Sequence, residues 1–310
     1  MYYIGVDLGG TNIAVGLVNE NAEIVNKESI KSRLPRPAEE LLKDMAQLII
    51  KVCSDAGISM DEVKSIGIGT PGSCDCANGV LVYANNLGYE NVSFKDEIHK
   101  YIDKPVYIEN DANVAALAEY IKKGRKMECF VAVTLGTGVG GGVIINGKIF
   151  SSFNGAGAEL GHTVIVCDGE PCTCGRKGCL EAYASATALI RQTREEMEKS
   201  PESLMNEIGK VKVTGRTAFD AARQGDAAGK RVVDNYIRYV AEGITNIVNI
   251  FQPEELVIGG GVCNEGDYLL LPIIDYVKKN QYVKNLKTTK ISIAELGNDA
   301  GIIGAAMLGL

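Results

Sequence analysis

The sequence predicts an α/β protein of two lobes, and three observations carry that reading. Apolar runs of strand length alternate with amphipathic stretches of helix length along the whole chain. Two glycine-rich turns each follow a strand, and 310 residues with 46% hydrophobic content suffice to fill two packed cores. No internal repeat or low-complexity linker separates the halves, so the division falls where the chain crosses between packed lobes.

The elements follow in order. Tyr3–Val6, Ile13–Val18 and Ile24–Ser29 are apolar runs broken by Gly9-Gly10 and by residues 19–22, which predicts a three-stranded meander. From Ala38 to Ala56, Leu41, Leu42, Met45, Leu48, Ile49 and Val52 share one helical face, entered after Pro37 and ended by Gly57. Strands are expected at Val63–Gly69 and Val106–Glu109, a helix from Asp111 to Lys123, and a strand at Cys129–Leu135. Val143–Ile145 and Lys148–Phe150 flank Asn146-Gly147, a hairpin signal. Beyond these come helices at Tyr183–Lys199, Ala218–Gln224 and Asp226–Asn249, a strand at Glu255–Ile258 and a helix at Tyr268–Lys279. A strand at Lys290–Ala294 and a short apolar helix at Ala300–Leu308 complete the chain.

Charge and hydropathy narrow the partners. A formal charge of −7, with lysines scattered rather than striped, argues against a nucleic-acid surface. No apolar run approaches the ~18 residues of a membrane span, and a strand at the very start leaves no room for a signal peptide. The expected setting is cytoplasmic, with no membrane partner. In that reducing compartment the nine cysteines are metal ligands or free thiols rather than disulfides. Cys53, Cys129 and Cys263 have apolar neighbours and read as core. Cys74 and Cys76 flank Asp75 in a loop, and the sequence offers no account of them.

One segment concentrates ligand chemistry. Glu159-Leu160-Gly161-His162 is followed ten residues later by Cys172-Thr173-Cys174-Gly175-Arg176-Lys177-Gly178-Cys179-Leu180-Glu181. Three thiols and an imidazole suit a tetrahedral Zn²⁺, and the glycines let a tight loop wrap one ion. His162, Cys172, Cys174 and Cys179 would close the coordination shell and make the zinc structural. Cys167 competes with His162 for the fourth position.

The glycine turns suggest phosphate chemistry. Val6-Asp7-Leu8-Gly9-Gly10-Thr11 sets an acid at a strand end, then two residues without side chains, then a hydroxyl. Backbone N–H groups of such a turn approach a phosphate while the acid faces a divalent cation. Thr134-Leu135-Gly136-Thr137-Gly138-Val139-Gly140-Gly141-Gly142 is a second such turn. Its Gly136-x-Gly138-x-x-Gly141 matches the dinucleotide fingerprint, but that motif opens a helix and here a strand and hairpin follow.

These motifs resemble a known set. Asp7–Thr11, Leu135–Gly142 and Ile258-Gly259-Gly260-Gly261-Val262 are similar to the first phosphate, second phosphate and adenosine motifs of the actin and hexokinase superfamily. The Glu159–Glu181 segment resembles the signature of the ROK family, a set of repressors, reading frames and sugar kinases, and most resembles its bacterial glucose kinases. The resemblance runs from Gly5 to Ala306. It implies an actin-like ATPase (ribonuclease H-like) fold with an active-site cleft between the lobes. The small lobe is expected to hold 1–112 plus 299–310, and the large lobe 113–298 with the zinc loop.

The roles it implies are specific. Asp111, in Glu109-Asn110-Asp111-Ala112-Asn113, corresponds to the catalytic base that accepts the proton of the sugar hydroxyl. Gly72, Asn110, Asp111, Glu159, His162 and Glu181 correspond to sugar ligands. Asp7, Gly9, Gly10, Thr11, Thr137, Gly138, Gly259, Gly260 and Gly261 correspond to the ATP site, with Mg²⁺ near Asp7. The implied reaction is transfer from ATP to the 6-hydroxyl of a hexose, foremost glucose to glucose 6-phosphate. N-acetylmannosamine, N-acetylglucosamine, mannose and fructose are the alternative substrates, and a sugar-responsive regulator lacking its DNA-binding domain is the alternative class. A homodimer or homotetramer is the expected assembly. Many members carry lysine where this chain has Asn12, which removes a charge beside the first phosphate turn.

Overall fold

The first apolar runs form β1 (Tyr2–Leu8), β2 (Asn12–Asn19) and β3 (Ile24–Lys31), an antiparallel meander with Leu8 opposite Ile13 and Ile13 opposite Ile30. The computed structural model describes residues 1–310. Every second residue of β3 faces solvent, as an edge strand requires. Helix α1 (Ala38–Asp55) buries Leu41, Leu42, Met45, Ile49 and Val52 completely in one apolar core with Val15, Leu17 and Ile68. Each such side chain contributes roughly 1.5–3 kcal/mol.

β4 (Val63–Thr70) runs parallel to β1, with Val6 opposite Ile68. The chain then makes a small antiparallel sheet from β5 (Ser73–Asp75), β6 (Val80–Ala84) and β7 (Tyr89–Ser93), followed by α2 (Phe94–His99). The sequence reading leaves these elements out. Their strands are short, and only Cys74, Leu81, Ala84 and Tyr89 of them are buried, so no apolar period marks them. β8 (Val106–Asn110) is parallel to β4 and completes a five-stranded sheet in the order β3-β2-β1-β4-β8.

Helix α3 (Asp111–Lys122) starts directly at the end of β8. β9 (Cys129–Leu135), β10 (Val139–Ile145) and β11 (Lys148–Ile149) follow, then α4 (Glu181–Ala184), α5 (Ala186–Lys199), α6 (Met205–Ile208), α7 (Thr217–Arg223) and α8 (Ala227–Phe251). β12 (Glu255–Gly259), α9 (Asp267–Asn280), β13 (Lys290–Ile293) and α10 (Ala300–Ala306) complete the order. The second sheet has the order β11-β10-β9-β12-β13, with β12 parallel to both β9 and β13. The single helix expected at Tyr183–Lys199 is two, because Ser185 leaves the helical region and caps α5 by accepting the Ala188 N–H at 3.0 Å.

The chain divides into two compact units, residues 1–126, 142–158 and 295–310 in the first and 127–141 and 159–294 in the second. This differs from the expected boundaries at 112/113 and 298/299. Helix α3 belongs to the first unit because it packs on α10, and α10 lies on β1 and β4 at backbone contact. A Cβ on Gly304 would stand 1.7 Å from the Val114 carbonyl oxygen, one on Gly5 1.9 Å from that of Ile302, and one on Gly67 1.8 Å from that of Ala305. No helix is long and apolar enough to cross a membrane. Of the cysteines read as core, Cys53 and Cys263 are buried, whereas Cys129 at the start of β9 is half-buried.

Candidate active site and metal centre

In the first unit, the turn between β1 and β2 is held from behind. Ser32 donates its hydroxyl to the Gly9 carbonyl at 2.7 Å and its N–H to that of Thr11 at 2.9 Å, while the Gly9 N–H reaches Asn12 O at 2.9 Å. The N–H groups of Gly10 and Thr11 have no partner and stay available to an anion. Asp7, Gly9, Gly10 and Thr11 line a cavity of about 790 Å³ with Lys27, its only cation, which Asp299 holds at 2.6 Å. Asp7 is half-buried, and burial first and the Asp111 charge second push its pKa from 3.8 up to about 6.

The Asn110-Asp111 turn lies in the same unit. Asn110, rather than Asp111, is the N-cap of α3: its Oδ1 accepts the N–H groups of Ala112 at 2.9 Å and Asn113 at 3.3 Å. Its Nδ2 donates to Gly72 O at 3.2 Å, tying the turn to the loop after β4. Gly72 has φ +98°, and a Cβ there would stand 2.1 Å from the Tyr83 carbonyl oxygen, so no other residue fits. Asp111 accepts the Ala112 N–H at Oδ1, 2.8 Å, and leaves Oδ2 free. The residue is open to solvent on one side, yet desolvation raises its pKa against the lowering effect of that backbone bond. A free, solvent-reachable carboxylate oxygen of raised basicity can take a proton.

In the second unit, the glycine run is less a turn than a packing surface. Only Gly136-Thr137-Gly138 turns, and Val139 already begins β10. The N-terminal end of α5 grips the turn, with Ala186 N–H donating to Gly136 O and Thr187 Oγ1 to Thr137 O, both at 2.8 Å. Glu181 Oε2 accepts the Val139 N–H at 3.0 Å, and a Cβ on Gly138 would sit 2.3 Å from that oxygen. Glu181 Oε1 accepts from Thr173 Oγ1 at 3.2 Å. Glu181 thus joins the Gly136–Gly138 turn to the cysteine loop. Glu159 is exposed; its carbonyl accepts the His162 N–H at 3.1 Å, and its carboxylate makes no hydrogen bond. Gly259 ends β12, and Gly260 and Gly261 follow it in an exposed turn.

The donor atoms of His162, Cys172, Cys174 and Cys179 all lie within 4.8 Å of one another. His162 Nδ1 is 3.6 Å from Cys172 Sγ, and Cys174 Sγ is 3.7 Å from Cys179 Sγ. Tetrahedral zinc with ~2.3 Å bonds to sulfur separates neighbouring thiolates by about 3.8 Å, so the set has the chemistry and the spacing for that ion. Cys167 lies outside the group and is exposed. His162 Nε2 makes no hydrogen bond.

Two roles escaped the sequence reading. Glu109 and Lys27 received none, although an acid inside the buried run Val106–Glu109 is itself a signal, because charge is seldom buried without a task. The tie of Glu181 to Val139 depends on tertiary folding and leaves no trace in spacing.

A phosphate-type turn after β1, an acid opening a helix after a parallel strand and a second strand-turn grip define an actin-like ATPase fold of the sugar-kinase type. The ROK family model matches residues 3–310. The chain belongs to the ROK family. It is 39% identical to a glucokinase of Thermotoga maritima over 98% of this chain and 96% of the relative. It is 31% identical to an N-acetylmannosamine kinase of Haemophilus influenzae over 99% and 94%. Among solved structures it resembles a ROK family glucokinase from Streptomyces griseus, in complex with glucose and AMPPNP, at TM-score 0.82 and 32% identity over 99% of both chains.

Proposed function

We propose that this protein is an ATP-dependent hexose kinase that converts glucose to glucose 6-phosphate. The free Oδ2 of Asp111 at the start of α3 carries the reading. Asp111 Oδ2 takes the proton of the 6-hydroxyl as that oxygen forms its bond to the γ-phosphorus, and the bond from phosphorus to the ADP oxygen breaks. Phosphoryl transfer asks of the protein mainly position and charge neutralisation. The N–H groups of Gly10 and Thr11 and the Thr137-Gly138 turn hold phosphate oxygens, and Gly259–Gly261 receive the adenosine. Asp7 would hold the Mg²⁺ that accompanies the nucleotide, and that ion would supply positive charge.

Gly72, Asn110, Asp111, Glu159, His162 and Glu181 recognise the sugar, whose hydroxyls need fixed partners when buried. Asn110 and Glu181 have internal bonds and serve with what remains: one Nδ2 hydrogen and the outer carboxylate lone pairs. His162, Cys172, Cys174 and Cys179 would hold a structural Zn²⁺, and ligation through Nδ1 of His162 would leave a proton on Nε2 for a hydroxyl. A homodimer or homotetramer is the proposed assembly.

A coupled assay of ADP formation with ATP and each of glucose, mannose, fructose, N-acetylglucosamine and N-acetylmannosamine tests the proposal. The highest kcat/KM is expected for glucose. Preference for an N-acetylated sugar overturns the substrate, and turnover with none of the five overturns the kinase.

A further inference from the structure

We infer that Glu109 is a positioning residue for phosphoryl transfer: its buried carboxylate sets the direction of Asp111 and locks it to the loop that carries Gly72. The inference rests on the reading of Asp111 as the base.

Glu109 ends the buried part of β8 and is 5% exposed. It forms no ion pair; three donors from three places meet it instead. Oε1 accepts the N–H of Asn110 at 2.8 Å and Nδ2 of Asn113 at 3.0 Å, and Oε2 accepts the thiol of Cys76 at 3.4 Å. Asn110 N–H belongs to the peptide entering the catalytic turn. Asn113 lies in the first turn of α3. Cys76 lies just past β5, four residues beyond Gly72. One carboxylate therefore fixes the turn, the helix it opens and the neighbouring loop against one another, beside the Asn110 Nδ2 bond to Gly72 O.

Burying an acid without a cation costs several kcal/mol unless hydrogen bonds compensate it, and an apolar residue would pack there at lower cost. The arrangement makes sense where direction matters more than stability. It also accounts for Cys76. Burial and the nearby Glu109 push its thiol up to about 12, so it stays an S–H donor at neutral pH. Cys74 by contrast is buried in the apolar core beside Leu81 and Ala84.

The test compares Glu109→Ala and Glu109→Gln in the full-length protein with ATP and glucose. A misplacement of ~1 Å at a reacting group costs about 100-fold in rate. Glu109→Ala is expected to lose about 100-fold in kcat, with KM for both substrates within about threefold of wild type. Glu109→Gln, whose Oε1 can accept the same two N–H donors, is expected to recover kcat to within about fivefold of wild type. A folded Glu109→Ala enzyme with wild-type kcat, or a glutamine variant no better than alanine, overturns the inference. Should Glu109→Ala fail to fold, Asn113→Ala and Cys76→Ala each remove one donor while leaving the carboxylate. Wild-type kcat in both overturns it equally, and a kcat loss in either that Cys76→Ser or Asn113→Gln partly restores supports it. An inactive wild type would instead refute the kinase. Activity in wild type and Glu109→Ala, but not in Asp111→Ala, would refute only the positioning role.

Discussion

At Asp111 the separation of the two carboxylate oxygens matters most: Oδ1 is spent on the Ala112 N–H, and Oδ2 is free. Asp111→Ala is expected to lower kcat by about 10²–10⁴-fold, the usual range for a general base, with glucose affinity by calorimetry within a few-fold of wild type. Equal activity in the mutant would exclude it as the base. The helix should survive the change, because Asn110 supplies the cap. Asp7 behaves differently. Its pKa of about 6 against 3.8 means the folded chain binds more protons than the unfolded one between those values, so this group destabilises the protein progressively as pH rises through that window. At about 1.4 kcal/mol per pH unit, the cost above pH 6 is at most on the order of 3 kcal/mol. Asp7→Asn is expected to raise the Tm of the ligand-free protein at pH 7.5, to leave it nearly unchanged at pH 4, and to cut kcat/KM for ATP severely. A Tm gain independent of pH would show that charge is not the cause. That Asp7 stands near the end of a strand and Asp111 at a helix start was legible because an acid followed by glycines or by a helical pattern is a local signal. The capping task of Asn110 competes with Asp111 at adjacent positions of one helix start, and only geometry assigns it.

Among the elements, α3 and α10 decide where Asp111 stands. Their axes approach until backbone touches backbone at Gly304 and Val114. Gly304→Ala would force a methyl group to within 1.7 Å of a carbonyl oxygen, so one helix must shift. Overpacking of this kind costs typically ~1–3 kcal/mol. The expected result is a Tm lowered by several degrees together with a kcat reduced about tenfold or more, since α3 carries the proposed base at its first residue. A lower Tm with unchanged kcat would mean that the shift is absorbed by α10 alone. Helix α1 was legible because six apolar residues at helical spacing outvote any local preference. The sheet of β5 to β7 was not, because its strands bury one or two side chains each and take their order from pairing across the 76–79 and 85–88 turns. The break at Ser185 lay within a continuous helical pattern, and its only signal was a residue type favoured at caps.

For the molecule as a whole, the alternation of strands and helices identified the α/β class, and the motif order identified the superfamily. The limits of the two units were not legible, because glycine contacts between α3, α10 and the first sheet, not chain order, assign α3 to the first unit. The clearest long-range expectation is the clustering of His162, Cys172, Cys174 and Cys179, whose donor atoms stand within 4.8 Å of one another. Removal of a zinc ion bound there would take away the common partner of the four donors and leave the thiol loop to its hydrogen bonds, among them Cys172 N–H to Arg176 O at 2.9 Å, Gly178 N–H to Glu170 O at 2.8 Å and the bridges of Val164 with Cys179 and Pro171 with Lys177. His162 then loses the orientation of its ring, and Glu181 loses the Thr173 contact at Oε1. The Gly136–Gly138 turn, the proposed second phosphate grip, should persist, because α5 holds Gly136 and Thr137 through bonds that do not involve the loop. Chelation under native conditions is therefore expected to weaken glucose binding about 10–100-fold, the usual effect of disturbing groups around a metal, and nucleotide binding by less than about threefold. Calorimetry on protein verified free of zinc measures both. Unchanged glucose affinity would reduce the loop to a staple, and parallel loss of nucleotide affinity would mean that Glu181, through Val139, carries the metal's influence into the phosphate turn.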